Sequence, residues 1–263
     1  MNNPYATKSY EILEIKSETA IDVTYKVAYE GNVIGGQFME ISIPGVGEAP
    51  ISISDFDGQS LDMTIRKVGR LTDQIFDLKI GDYLFMRGPY GNGFDLKHYK
   101  GRDLVIIAGG TGLAPVKNPI RYFVNHPDEI KQIEVLLGFK TPKDILFPEE
   151  IKEWSKKCHV CLTVDVPDEE WQGKTGLITT HVNSLDLSDV KNKVAIVVGP
   201  PIMMKFIALE LIKQGFMEEN IWVSFERKMS CGIGKCGHCK IDETYVCLEG
   251  PVFNYTKAKN LLD

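Results

Sequence analysis

Leu104-Val105-Ile106-Ile107-Ala108-Gly109-Gly110-Thr111-Gly112-Leu113-Ala114-Pro115 is the stretch on which the fold of this chain turns. Five consecutive apolar residues without polar alternation are what a parallel strand covered on both faces requires. A glycine-rich turn follows at once, and the pattern predicts a helix over 115–124. Pro115 suits the first helical turn, where its missing N–H costs nothing. Glycines at such a turn let the backbone approach an anionic ligand, and the helix start supplies N–H groups and a favourable dipole. Gly109, Gly110, Thr111, Gly112, Ala114 and Pro115 are therefore candidate nucleotide-binding residues. The spacing is not G-x-G-x-x-G, so a plain strand-to-helix turn stays open as the alternative.

Downstream the same grammar repeats. Buried runs recur at 133–137, 160–164 and 194–198, separated by amphipathic segments at 147–154 and 203–214. Strands alternating with helices predict a doubly wound parallel-sheet α/β domain over 101–225. Gly199-Pro200-Pro201 makes a second open turn at a strand C-terminus, where such sheets bind ligands. Upstream the text differs: 23–29 alternates apolar and polar residues, and Glu30-Gly31-Asn32, Asp57-Gly58 and Gly81-Asp82 read as turns. Short strands at this spacing predict an antiparallel β-barrel or sandwich over 1–100. Within it, 49–54 and 68–72 are candidate cofactor loops, although Ser52 alternates with isoleucines as on any half-buried strand.

Beyond 225 the chain turns glycine- and cysteine-rich, which predicts a small third module over 226–263. Cys231, Cys236, Cys239 and Cys247 follow the spacing C-x4-C-x2-C-x7-C. A C-x4-C-x2-C element with a distant fourth cysteine is the plant-ferredoxin arrangement for a [2Fe–2S] cluster. Glycines at 232, 234 and 237 let a short loop wrap such a group, and their N–H groups can face its sulfurs. Structural zinc is the alternative, although zinc ribbons space their ligands as two short pairs. Cys158 and Cys161 form a lone C-x-x-C and read as ordinary half-buried thiols, because residues three apart on a strand face opposite ways.

The bulk properties exclude several classes. An apolar fraction of 43% and a charged fraction of 25% predict globular domains rather than disorder. A net charge of −6 argues against nucleic acid as partner, since phosphate binding needs a basic surface. The first residues read as no signal peptide, and no apolar stretch approaches a membrane span, so a cytoplasmic location is expected. In that compartment clustered cysteines point to metal ligation rather than disulfides.

The order of barrel, GGTGLAP (109–115), GPP-x-MM (199–204) and cysteine tail resembles the ferredoxin–NADP⁺ reductase superfamily. The branch is the one holding the electron-transfer subunit of dihydroorotate dehydrogenase. EAPISISDF (48–56), RGPYGNGF (87–94), ERKMSCGIGKCGHCKI (226–241) and YVCLEGPVF (245–253) are most similar to the subunit-B family of anaerobic sulfite reductases. The resemblance implies FAD on the barrel, a nicotinamide nucleotide on the α/β domain and the cluster as exit port. Pro50, Ile51 and Ser52 would line the isoalloxazine. Thr64, Ile65, Arg66, Leu71 and Thr72 would hold the ribityl and diphosphate part. Residues 109–115 would face the nucleotide diphosphate, with Gly199, Pro200 and Met203 near the nicotinamide.

One departure stands out: where the superfamily carries a flavin-phosphate arginine, this chain has Ala49, so that either Arg66 compensates or the flavin is held more loosely. The implied function is electron transfer from NADH to the other subunits of a reductase complex, an iron–sulfur subunit and a sulfite-reducing (sirohaem) subunit. The alternatives are the electron-transfer subunit of a dihydroorotate dehydrogenase or of a hydrogenase and, more distantly, a zinc-binding interaction protein. NADPH stays open beside NADH, because Lys140 and Lys143 follow the second α/β strand, where a 2′-phosphate would be read. Cofactors carry such chemistry, so no side chain is assigned as acid, base or nucleophile.

Overall fold

In the N-terminal half, alternation of inward and outward residues is what closes the sheet. The computed structural model describes residues 3–261. Six antiparallel strands, β1 (Lys8–Ser17), β2 (Asp22–Ala28), β3 (Phe38–Ile43), β4 (Gly47–Phe56), β5 (Ser60–Arg66) and β6 (Tyr83–Tyr90), form a closed barrel. Their order is β1-β2-β5-β4-β3-β6. Closure comes from β6, which pairs with β1 (Ser9 opposite Phe85) and with β3 (Ile41 opposite Met86). Of the two architectures the strand spacing allowed, the barrel is the one formed. Inward-facing Ile12, Tyr25, Val27, Met39, Ile41, Ile53, Leu61, Met63, Ile65 and Met86 make its core. The short helix α1 (Arg70–Ile75) is tied to that core by the Tyr25 hydroxyl, which donates to the Ile75 carbonyl at 2.9 Å.

Compactness divides the chain differently from the three-part reading of the sequence. One unit runs to Phe94 and includes Phe225–Val252; the other comprises Asp95–Ser224 and the residues from Phe253 onward. The cysteine-rich stretch therefore packs as part of the barrel unit.

The second unit is built on β7 (Asp103–Gly109), α2 (Leu113–Asn125), β8 (Gln132–Phe139), α3 (Pro148–Trp154), β9 (His159–Val164), β10 (Lys174–Thr175), β11 (Lys193–Val198), α4 (Pro201–Lys213) and β12 (Ile221–Ser224). The sheet order is β10-β9-β8-β7-β11-β12, with the later strand 252–254 at the far edge. β7 pairs in parallel with β8 and with β11, so Leu104–Ala108 is covered throughout, as the unbroken apolar run requires. Chain order reverses between β7 and β11, and the turns leaving their C-termini lie at the switch point where open α/β sheets bind ligands. The edge strand at 252–254, three residues long, was not legible in the sequence. Cys161 is buried on β9, and Cys158 sits just ahead of it with its thiol donating to the Trp154 carbonyl at 3.4 Å. Burial pushes the Cys158 thiol up to about 11, as befits an unreactive packing residue.

Ile107 is fully buried at the centre of the sheet, whereas Leu209 on α4 is 49% exposed. Ile107→Ala should destabilise the protein by about 2–5 kcal/mol in urea unfolding. Leu209→Ala should change it by about 0.5 kcal/mol or less.

Candidate cysteine centre and nucleotide crevice

The four cysteines are delivered by a loop and a one-turn helix. Cys231, Cys236 and Cys239 lie on an irregular glycine-rich loop. The hairpin β13 (Lys240–Ile241) and β14 (Thr244–Tyr245) then reverses the chain into α5 (Val246–Glu249), which carries Cys247. A two-residue hairpin turn is what the seven-residue gap between the last two cysteines encodes. Gly232 has φ +72°, and a Cβ there would lie 2.8 Å from the Tyr90 ring, so only glycine fits.

Backbone N–H groups point at the sulfurs. Cys231 Sγ accepts from Lys235 at 3.3 Å, Cys236 at 3.4 Å and Ile233 at 3.5 Å. Cys247 Sγ accepts from Gly234 at 3.1 Å, and Cys239 Sγ accepts from Cys247 at 3.4 Å. Burial disfavours the Cys231 thiolate, but those three N–H groups outweigh it and bring the thiol down to about 6. Cys247 goes the other way, pushed up to about 12 by burial and by its contact with Cys239. The bonds from the Cys236 N–H to Cys231 Sγ and from the Cys247 N–H to Cys239 Sγ join the cysteines in two neighbouring pairs. Among the described residues no three Cys, His, Asp or Glu side chains surround a single point tightly enough to hold one ion. Thiols wrapped in N–H donors suit a sulfide-bridged group, whose sulfurs need such donors. Cys236 alone of the four is exposed.

What holds this loop was not assigned from the sequence. Arg87, on β6 and 6% exposed, donates from Nη1 to the Cys231 carbonyl at 2.6 Å and from Nη2 to the Ser230 carbonyl. Its Nε and Nη2 also form a fork on the Glu48 carboxylate, with Nε to Oε2 at 2.9 Å. The Tyr90 ring packs on Gly232, and the Asn92 side-chain amide donates to the Glu249 carbonyl at 3.0 Å. The Asn92 N–H donates to the Gly250 carbonyl at 2.6 Å. Residues 87–92 therefore grip the cysteine segment at its first cysteine and just after its last. Burial works against the Arg87 charge, but its hydrogen bonds to Glu48 and Tyr90 outweigh that and raise its pKa. Glu40, opposite on β3, is fully buried, and neither carboxylate oxygen has a hydrogen-bond partner. In sequence Glu40 sits between Met39 and Ile41 in strict alternation, which reads as a solvated residue; nothing there signals burial.

The flavin candidates are spread unevenly. Pro50, Ile51 and Ser52 lie half-buried on β4. Thr64 joins a chain of hydroxyls, 3.0 Å from both Ser54 Oγ and Thr24 Oγ1. Arg66 grips Asp22 through two bonds of 2.8 and 3.0 Å, so this buried carboxylate fixes where the guanidinium points. The Ile65 side chain is in the barrel core, so only its backbone can serve a ligand. The Thr72 hydroxyl is likewise committed locally, accepting from Val68 and Gly69 N–H at 2.9 and 3.1 Å. Leu71 is half-buried beside the barrel core.

In the second unit the two turns at the switch point touch. A Cβ on Gly109 would lie 2.4 Å from Met203 Sδ, and one on Gly112 would lie 2.5 Å from the Val198 carbonyl oxygen. These glycines serve close packing of the two turns. Gly110 differs: its φ is +55° and nothing lies within 4 Å of an added Cβ, so it opens onto space that a ligand can use. Gly110, Thr111, Gly199 and Pro200 keep exposure, whereas Ala114, Pro115 and Met203 are buried and shape the crevice from behind. Lys140 and Lys143 are exposed just past β8, the strand next to β7.

Comparison with known proteins agrees with this layout. The family described as Oxidoreductase NAD-binding domain matches residues 106–208. The one described as Iron-sulfur cluster binding domain of dihydroorotate dehydrogenase B matches residues 226–259. Sulfhydrogenase 1 subunit gamma of Pyrococcus furiosus is 35% identical, over 97% of this chain and 92% of its own length. The probable dihydroorotate dehydrogenase B (NAD(+)) electron transfer subunit of the same organism is 36% identical, over 83% and 78% respectively. Among solved structures, an NADH-dependent reduced ferredoxin-NADP oxidoreductase superposes with a TM-score of 0.76 at 23% identity, over 98% of this chain and 94% of that one. That last likeness concerns the fold.

Glu40 makes the centre sensitive to pH. Burial, with repulsion from Glu48 and Cys231 and against the attraction of Arg87, pushes its carboxyl up to about 7. The folded protein then holds a proton that the unfolded chain has released, so stability falls as pH rises through the window from about 4.5 to 7. Glu40→Gln should be more stable than the parent at pH 8 by an amount of order 2–3 kcal/mol, with no gain at pH 4. Urea unfolding at the two pH values checks this.

Proposed function

The chain belongs to the oxidoreductase family that holds the sulfhydrogenase gamma and dihydroorotate dehydrogenase B electron-transfer subunits, and from that premise we propose that it carries electrons from NADH through FAD and a [2Fe–2S] cluster to a partner reductase. The observation that carries this reading is the set of cysteines whose sulfurs accept backbone N–H donors, clamped to a barrel in the same compact unit. When bound, the flavin takes the two electrons of a hydride and releases them singly, which a one-electron centre needs.

The residues have separable tasks. Gly110 and Thr111, at the start of α2, hold the nucleotide diphosphate with backbone N–H groups, and Gly199 and Pro200 border its nicotinamide. Pro50, Ile51 and Ser52 offer the isoalloxazine a half-buried wall. Arg66, oriented by Asp22, supplies the flavin diphosphate with the charge that Ala49 cannot. Cys231, Cys236, Cys239 and Cys247 ligate the cluster, and exposed Cys236 marks the side on which electrons leave. NADH is favoured over NADPH, since Lys140 and Lys143 are solvated as surface lysines usually are.

The partner is the finer question. The motif resemblance pointed to a sulfite-reducing subunit, but the relatives carry hydrogenase and dihydroorotate dehydrogenase names, and those two partner classes are better supported. We favour a hydrogenase, because the sulfhydrogenase gamma subunits are 34–35% identical along 97% of the chain, whereas the dihydroorotate dehydrogenase subunits that cover as much of it are 32% identical. Anaerobic purification of the tagged chain from its own cells, with identification of the subunit that follows it, decides among the three.

Adding NADH without air should bleach the flavin before the cluster in stopped-flow absorbance; cluster reduction first would overturn the scheme. Cys236→Ala should remove the cluster and leave NADH-driven flavin reduction intact. Arg66→Ala should weaken FAD binding by roughly 1.5–3 kcal/mol, the range for a lost charge-assisted hydrogen bond, as read by flavin fluorescence titration.

A further inference from the structure

We propose that Arg87 is a positioning residue for the electron-transfer step: it fixes the Cys231 peptide against the barrel wall, and its buried charge raises the reduction potential of the cluster. The inference rests on the reading of the four thiols as iron–sulfur ligands.

Three observations carry it. First, one guanidinium serves both the barrel and the ligand loop, with two donors on the consecutive carbonyls of Ser230 and Cys231 and a fork on Glu48 of β4. A planar five-donor fork can bridge these groups at once, whereas an ammonium cannot. Second, the guanidinium is buried: Arg87 is 6% exposed, flanked by Tyr90 at 5.5 Å and Tyr5 at 6.0 Å from its guanidinium carbon to their ring centres. Charges in such surroundings act on one another far more strongly than in water. Third, two carboxylates neighbour the cation. Glu48 is its ion-pair partner, and Glu40 is buried without a hydrogen bond.

A cluster held by the four thiols would supply one-electron chemistry, and its reduction by one electron would add one negative charge to the group that Cys231 ligates, with no ligand bond made or broken. A buried cation favours the reduced form and a buried anion disfavours it, so Arg87 and Glu48 pull the potential in opposite directions. Holding the first ligand's peptide also fixes the N–H groups that follow it, at Ile233, Lys235 and Cys236, on the Cys231 sulfur.

The test is a dye-mediated redox titration at pH 8.5 of the parent, Arg87→Met, Arg87→Lys and Glu48→Gln, with EPR of the reduced proteins and iron and sulfide analysis of each. Arg87→Met should shift the one-electron equilibrium against reduction by tenfold or more, a fall of about 59 mV or more. Glu48→Gln should shift it the other way by threefold or more. Arg87→Lys should keep a potential between those of the parent and Arg87→Met but give an altered EPR spectrum, because the charge survives and the bridge does not. Should Arg87→Met fail to hold its cluster, Glu48→Gln and Arg87→Lys still decide. Potentials and spectra unchanged in those two would overturn the proposal, as would shifts of Arg87→Met and Glu48→Gln in the same direction. A parent with no iron or sulfide would instead overturn the iron–sulfur reading on which it rests.

Discussion

One buried guanidinium holds the cysteine segment to the barrel. The segment from Phe225 to Val252 is too short to bury a core of its own, and left-handed glycines leave its loop without regular hydrogen bonding. It becomes structure by borrowing a wall. Arg87 takes the carbonyls at its entry, Tyr90 covers Gly232, and Asn92 takes the carbonyls at its exit. These three side chains come from β6 and the turn beyond it, whose outward faces the barrel does not need for itself. The Glu48 carboxylate holds the fork in place from the next strand but one. Sulfur-directed N–H groups follow from that anchoring, because a loop pinned at both ends can aim its amides.

The two units solve different problems with the same chemistry of exposed backbone. At the cysteine centre, N–H groups converge on thiols. At the crevice between the ends of β7 and β11, the start of α2 offers N–H groups to an anion, and Gly110 leaves room for it. Side chains are spent on packing in both places. Met203 fills the space that Cβ atoms on Gly109 and Gly199 would need, and Tyr90 fills the space beside Gly232. A protein whose chemistry belongs to its cofactors needs few reactive side chains, and the conspicuous ones here are structural: a buried arginine, two carboxylates around it and an aromatic pair.

Much of the fold was legible because its signals are periodic. The unbroken run at 104–108 could only be a covered parallel strand, and β8, β9 and β11 follow the same rule. The cysteine spacing was equally direct, since four cysteines in seventeen residues leave few readings. The barrel was harder: alternation indicates a one-sided strand but not whether the sheet closes, which depends on β6 reaching β1 from far along the chain. The clamp was illegible. Arg87 and Glu40 stand at outward positions of strands, where charges are normally solvated, and only the return of residues 225–252 to the barrel covers them. Ile65 and Thr72 were nominated by motif position, which says nothing of side-chain placement: one side chain belongs to the core and the other to a local turn, leaving their backbones to face a ligand.

The account as a whole depends on what the four thiols hold. Iron and acid-labile sulfide analysis of anaerobically purified protein, with EPR after reduction by NADH, tests it most directly. The account predicts about two irons and two sulfides per chain and the spectrum of a reduced [2Fe–2S] centre. Stoichiometric zinc without sulfide, in a protein that gives no signal on reduction, would contradict it.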